Sequence, residues 1–161
     1  MRCGNHPRPA NPTSMTHTRL SRIIRVPATA VFETIANATN YTNAVPEIVK
    51  VEFLSDQRSG VGTRFRETRV MGRREATTEL EVTEYAANER IRLVSDAGGT
   101  VWDTLFTVTP VEDGDATRLD LVMEARPYRL LSRILVPLMK RAVAKAVAGD
   151  MDAVTAHLEA R

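Results

Sequence analysis

The sequence predicts an α+β domain: a curved, seven-stranded antiparallel sheet wrapped on one long C-terminal helix, with two short helices between strands 1 and 2. Three observations predict it. Six strand-like runs follow one another from residue 48 to residue 125, across short joints rich in Gly, Asn and Asp. Two short helical runs lie between Pro27 and Pro46, and a long helical pattern fills about residues 128–160. A chain of 161 residues with 43% hydrophobic and 26% charged side chains suits one domain with a substantial core.

Each element carries its own local signature. THTRLSRIIRV sets Leu20, Ile23 and Ile24 among polar residues and stops at Pro27, as a strand does. Pro27 is pre-set for a helix start, and ATAVFETIAN follows with Val31, Phe32 and Ile35 at helical spacing. ATNYTNAVPEI reads as a second short helix, stopped ahead of Pro46 because the residue before proline avoids the helical region. The strands that follow are IVKVEFL, GTRFRETRVM, REATTELEVTEY, RIRLVSD, TVWDTLFTVTP and TRLDLVMEA. Parallel crossovers need about a dozen residues or more, so joints this short make the six strands an antiparallel meander. The first strand is then available to close an edge.

In the last helix Leu131, Leu135, Leu138, Met139, Ala142 and Ala146 share one apolar stripe. Val147, Met151, Val154 and Leu158 form a second, turned by roughly a third of a circle from the first. Pro137 is expected to kink or break this helix, and Gly149 weakens it again.

Composition excludes several classes. A net charge of +2 is too small to argue for nucleic acid. Cys3 stands alone, which rules out an intrachain disulfide framework and fits a reducing compartment. His6, His17 and His157 are scattered, so neither a metal site nor a cofactor is expected. No run approaches the roughly 18 apolar residues of a membrane span, and ILVPLM is the longest candidate. Residues 1–14, MRCGNHPRPANPTS, lack the apolar core of a secretory signal and are expected to be a disordered extension ahead of a domain at 15–161. The expected location is the cytoplasm.

IIRVPATAVFETIANATNYTNAVPEI, SGVGTRFRE, VTEYAANERIRLVS, WDTLFTVTPVEDGDATRLDLVME and the closing amphipathic helix span nearly everything after Met15. In their order and spacing the chain resembles the START-like superfamily, also called SRPBCC, and within it the bacterial polyketide cyclase/dehydrase-type proteins. The resemblance implies a helix-grip fold with an internal cavity for an apolar ligand. Sterol and lipid carriers, aromatic polyketide cyclases, ring-hydroxylating oxygenase subunits, hormone receptors and co-chaperone activators share it, so fold alone does not fix function.

Strand alternation nominates the cavity residues. In GTRFRETRVM, Thr63, Phe65, Glu67, Arg69 and Met71 share the face that Phe65 and Met71 mark as inward. In the next strand Ala76, Thr78, Leu80 and Val82 face inward, and they leave volume unfilled. Glu67 and Arg69 read either as a rim salt bridge of under about 1 kcal/mol or as a polar anchor in an apolar pocket. The exposure of Arg69 separates the two. Trp102, Thr104 and Phe106 share a face, as do Leu121 and Met123, and each reads as core filling or cavity wall. Tyr41 either packs its helix or turns its hydroxyl to the cavity. Leu138 and Ala142 are expected under the last helix, where Ala142, Ala146 and Gly149 leave room for a guest.

The leading expectation is a binder that carries or sequesters a small hydrophobic molecule such as a lipid, polyketide or isoprenoid. One alternative is a polyketide cyclase or aromatase in which Arg69 or Tyr41 polarises a carbonyl. Another is a protein-binding scaffold, which requires a filled cavity. The last helix carries Arg129, Arg133, Lys140, Arg141 and Lys145 without an acid among them. That run reads as a solvated face or as a weak peripheral contact with an anionic membrane. Monomer and dimer both remain open.

Overall fold

The computed structural model describes residues 16–161. The extension expected at residues 1–14, with Cys3 and His6, lies outside the described residues. Strand β1 (Thr16–Ile24) is followed by helices α1 (Ala28–Ala36) and α2 (Ala38–Ala44), then β2 (Ile48–Phe53), β3 (Arg64–Met71), β4 (Arg74–Ala86), β5 (Arg90–Ala97), β6 (Thr100–Val111) and β7 (Ala116–Pro127), and finally α3 (Leu130–Glu159). The strands form one sheet in the order β1-β7-β6-β5-β4-β3-β2, antiparallel throughout. The meander therefore runs from β2 to β7, and β1 returns to pair with β7 along the far edge.

Turn chemistry follows the sequence. Asn37 ends α1 and caps α2, its side-chain oxygen accepting from the backbone N–H groups of Thr39 and Asn40. Gly98 and Gly99, both at positive φ, form the two-residue turn between β5 and β6. The Gly99 carbonyl then accepts from the Tyr128 N–H and from the Ser132 hydroxyl, at 2.9 and 2.8 Å, and so fixes where α3 begins. A Cβ at Gly99 would meet the Arg129 side chain at 2.6 Å, so the close approach itself requires glycine.

Two register shifts bend the sheet. One lies in β2 between Ile48 and Lys50, the other in β4 between Val82 and Glu84. A bulge adds twist and bends its strand, which lets the sheet curl around α3 rather than lie flat. Ile24, Val31, Phe32, Ile91, Leu119 and Leu121 pack with Met151, Val154 and Leu158 of α3 into one core.

The helix does not present the face expected of its first half. Val147, Met151, Val154 and Leu158 are buried as read, but Leu131, Leu135, Leu138, Met139, Ala142 and Ala146 are exposed. Ser132, Val136, Val143 and Val147 hold the inward positions instead. The reason is local: LLSRILVPLM is apolar nearly all round, so its periodicity does not select a face. Pro137 lies inside α3 on its outer side, and the helix runs on past it.

Met151→Ala is expected to cost about 2–5 kcal/mol of unfolding free energy, while Leu131→Ala stays within about 0.5 kcal/mol. Urea denaturation of both variants checks which stripe packs; equal losses would put the helix in a different rotation.

Candidate functional site

Between the concave face of the sheet and α3 lies a cavity of about 310 Å³. Its walls are mainly apolar, with Ile35, Phe65, Ile91, Phe106, Leu121 and Val147 prominent among them. Exposed Arg58 stands at its rim, 4.7 Å above the Phe53 ring. Of the residues nominated from the sequence, Tyr41, Thr63, Phe65, Glu67, Arg69, Thr78, Leu80, Val82, Trp102, Thr104, Phe106, Leu121 and Met123 line it.

Three do not. Met71 is exposed at the tip of the β3–β4 hairpin, where the strand pair has passed the end of the helix-backed surface. Leu138 and Ala142 lie on the outer side of α3, because Val136, Val143 and Val147 take the inner one. The room attributed to Ala142, Ala146 and Gly149 is likewise on the solvent side; the cavity is left by the sheet's curvature and by small residues such as Thr78.

Arg69 organises the polar end. Its Nη1 donates to Asp150 Oδ1 at 2.8 Å and its Nε to Glu67 Oε1 at 3.2 Å. The three side chains are 23, 9 and 15% exposed respectively, so the pair on β3 is not a solvated rim bridge. Strand register makes the space. Glu67 lies opposite Thr78 and Arg69 opposite Ala76, whose short side chains leave the long ones room over the sheet. Asp150 comes from α3, three residues after Val147 and four before Val154, both buried. It falls on the second apolar stripe, and that position was the available sequence signal; its meeting with Arg69, 81 residues away, was not legible.

Burial pushes the carboxyls of Glu67 and Asp150 above their ordinary range, with the Arg69 guanidinium opposing the shift in each case. Burial also works against the Arg69 charge. The hydrogen bond to Asp150 and the charges of Asp150 and Glu67 outweigh it, and the guanidinium is held more firmly protonated than usual. Burial drives the Tyr41 phenol well above its normal range, reinforced by the Asp150 charge and opposed by Arg69. Tyr41 is thus a neutral phenol, set edge-on to Phe106 at 6.2 Å, and among the described residues its hydroxyl makes no hydrogen bond.

The cluster sets one cation against two carboxyl groups, and two of that cation's five N–H donors, on Nε and Nη1, are directed at them. What it offers a guest is carboxyl oxygens to accept hydrogen bonds, and the Tyr41 hydroxyl and the remaining Arg69 N–H groups to donate them. It does not offer a spare positive charge.

A bent sheet gripping a long helix around such a pocket defines a START-like, helix-grip protein. The chain belongs to the family of polyketide cyclase / dehydrase and lipid transport proteins, whose model matches residues 15–161. No curated protein sequence matches. Among solved structures, the Zhui aromatase/cyclase from Streptomyces sp. R1128 is 20% identical, covering 91% of this chain and 94% of its own, with a TM-score of 0.75. A START superfamily protein from Mycobacterium smegmatis is 15% identical over 89% and 97% of the two chains, with a TM-score of 0.71. Norcoclaurine synthase from Thalictrum flavum, in complex with dopamine and hydroxybenzaldehyde, is 15% identical over 96% and 94%, with a TM-score of 0.66. At these identities the likeness is one of fold. No helix of the described residues is long and apolar enough to cross a membrane.

The raised Glu67 carboxyl has a consequence for stability. The folded chain holds that proton more tightly than the unfolded chain, whose ordinary value is 4.5. Its contribution is therefore full below that pH and is lost as pH rises through the folded value. Glu67→Gln, which cannot ionise, should gain stability relative to the parent as pH climbs from 4.5 toward neutrality. Urea titrations over a pH series measure the difference; a pH-independent offset would mean that the carboxyl titrates as in the unfolded chain.

Proposed function

We propose that the protein binds a small, largely apolar molecule of the lipid, polyketide or isoprenoid class in its cavity and holds it by a neutral hydroxyl or carbonyl group. The observation that carries this reading is the apolar-walled space of about 310 Å³ with its polar side chains gathered around Arg69. That volume is at the lower end for small-molecule pockets and suits a compact guest. Binding would draw on apolar surface removed from water, at about 25 cal/mol per Å² before ordering costs. The family description, which names lipid transport beside cyclisation, supports the same class of guest. A protein-binding scaffold without a ligand needs a filled interior, and the open cavity weighs against it.

A carboxylate guest fits less well. Its charge would enter a pocket where Glu67 and Asp150 already neutralise Arg69, and an uncompensated buried charge is costly. Fatty acids are accordingly poorer guests than alcohols or phenols of similar apolar bulk.

The second reading is a cyclase acting on a poly-β-ketone in the same space. The feature favouring it is the Tyr41 phenol, which could donate to a ketone oxygen as negative charge develops there. The Zhui aromatase/cyclase shares the fold, which supports this reading at the level of architecture only. Product analysis with a poly-β-ketone separates the two: a product distribution identical to the uncatalysed control leaves binding alone.

Displacement of an environment-sensitive apolar dye tests the binding reading. Phenols and terpenoid alcohols should displace it about tenfold more effectively than the matching carboxylates. Tyr41→Phe should weaken the hydroxylated competitors by about fivefold, a typical neutral hydrogen bond. Absence of saturable dye binding would sink the proposal.

A further inference from the structure

Along the first three turns of α3 the outer face is apolar where a surface helix ordinarily presents charge. Leu130, Leu131, Ile134 and Leu138 are 79, 67, 61 and 75% exposed, and Leu135 and Met139 widen the strip. The same turns meet the sheet through Ser132 and Val136, so the exposed residues bury nothing in the fold. Singly exposed leucines are unremarkable in a protein surface; six large apolar side chains on one helix segment mark a contact.

Charge identifies the partner. Arg129 and Arg133 accompany the strip, Lys140 flanks its end, and Arg141 and Lys145 continue its outer face. No Asp or Glu occurs between Ala125 and Gly149. Among the described residues none of these five cations forms an ion pair, whereas Arg64, Arg69, Arg90, Arg92, Arg118 and Arg126 all do. A second copy of the chain would bring an equally cationic strip against this one, and like charges face to face oppose association. The strip is also a convex ridge, about 14 Å long at 1.5 Å per residue. An amphipathic helix of this make-up, apolar along one side and basic around it, lies in the plane of a bilayer interface.

We propose that the first half of α3 docks the protein on an anionic lipid surface. Leu131, Ile134 and Leu138 enter the boundary between headgroups and acyl chains, while Arg133, Arg141 and Lys145 meet lipid phosphates. This surface is separate from the cavity, and its test is independent of any ligand bound there. Since residues next to an anionic bilayer contribute additively, removal of two cations should lower partitioning by about tenfold or more.

Flotation of the full chain with phosphatidylcholine vesicles, with and without phosphatidylglycerol, tests the proposal. Binding is expected to the anionic vesicles, weakened by salt and much weaker to phosphatidylcholine alone. Leu131→Ser with Leu138→Ser, and separately Arg141→Ser with Lys145→Ser, should each reduce it about tenfold or more while leaving thermal unfolding unchanged. All four positions are exposed, so the variants fold. Parent-like flotation of both variants overturns the proposal, as does a parent that ignores anionic vesicles. Dimerisation abolished by the leucine variant, with no vesicle binding, also overturns it and assigns the strip to a second copy.

Discussion

The interaction on which the interior depends is the ion pair between Arg69 of β3 and Asp150 of α3. A sheet curled over an apolar helix would reduce its free energy by closing down until side chains met. A charged pair bridging the two walls resists that closure, because its groups keep their hydrogen bonds only at a fixed separation. Glu67 takes a second donor of the same guanidinium, so the arginine is fixed in direction as well as in depth. Such a pair adds little net stability once desolvation is counted, and its contribution is to define one arrangement of sheet and helix. The polar end of the cavity and the spacing of its walls thus have one origin.

The other face of the same strands follows a different rule. Arg64 pairs with Glu79 across β3 and β4, Glu84 with Arg90 and Arg92, and Asp103 with Arg92 and Arg126. Asp103 is buried beneath Arg92 and Arg126, whereas the exposed pairs Arg64–Glu79 and Glu84–Arg90 contribute little each and do not hold the sheet together. Their use is to keep a long, one-sided sheet in water. Edge strand β2 carries Lys50 and Glu52, which discourage another chain from adding to that edge. Heavy charge on the β3–β4 hairpin is therefore compatible with a core behind it: alternation sends most charges outward, and the two that turn inward are compensated from α3.

The fold was legible because local and global signals agreed. Joints too short for crossovers forced a meander, Pro27 and Pro46 bracketed the helical insert, and the Gly98–Gly99 pair marked a hairpin. Alternation placed Phe65, Glu67, Arg69, Thr78 and Leu80 on the concave face correctly because period two leaves only two choices. It failed at Met71, since alternation says which face a residue occupies but not where the covered part of the sheet ends. Leu138 and Ala142 were misplaced for another reason. A segment apolar on all sides has no phase, and its rotation is set by what the last half of the helix buries. Asp150 was missed because a single carboxylate in an apolar stripe gains its meaning only from a partner distant in sequence.

That rotation gives α3 two assignments at once. Its last half, through Met151, Val154 and Leu158, is core and fixes the helix against β1 and the short helices. Once this half is seated, the phase of the first half is no longer free, and the apolar excess of LLSRILVPLM must emerge on the outside. A fold selected for stability alone would place charges there, as it does along the outer face of the sheet. The exposed leucines and their acid-free surroundings therefore serve nothing in the packing of the domain itself. Val143 and Val147 line the cavity on the opposite side of the same helix, about one helix diameter from the strip. The strip and the cavity wall are thus opposite sides of one helix, whose rotation is set by the residues its last half buries.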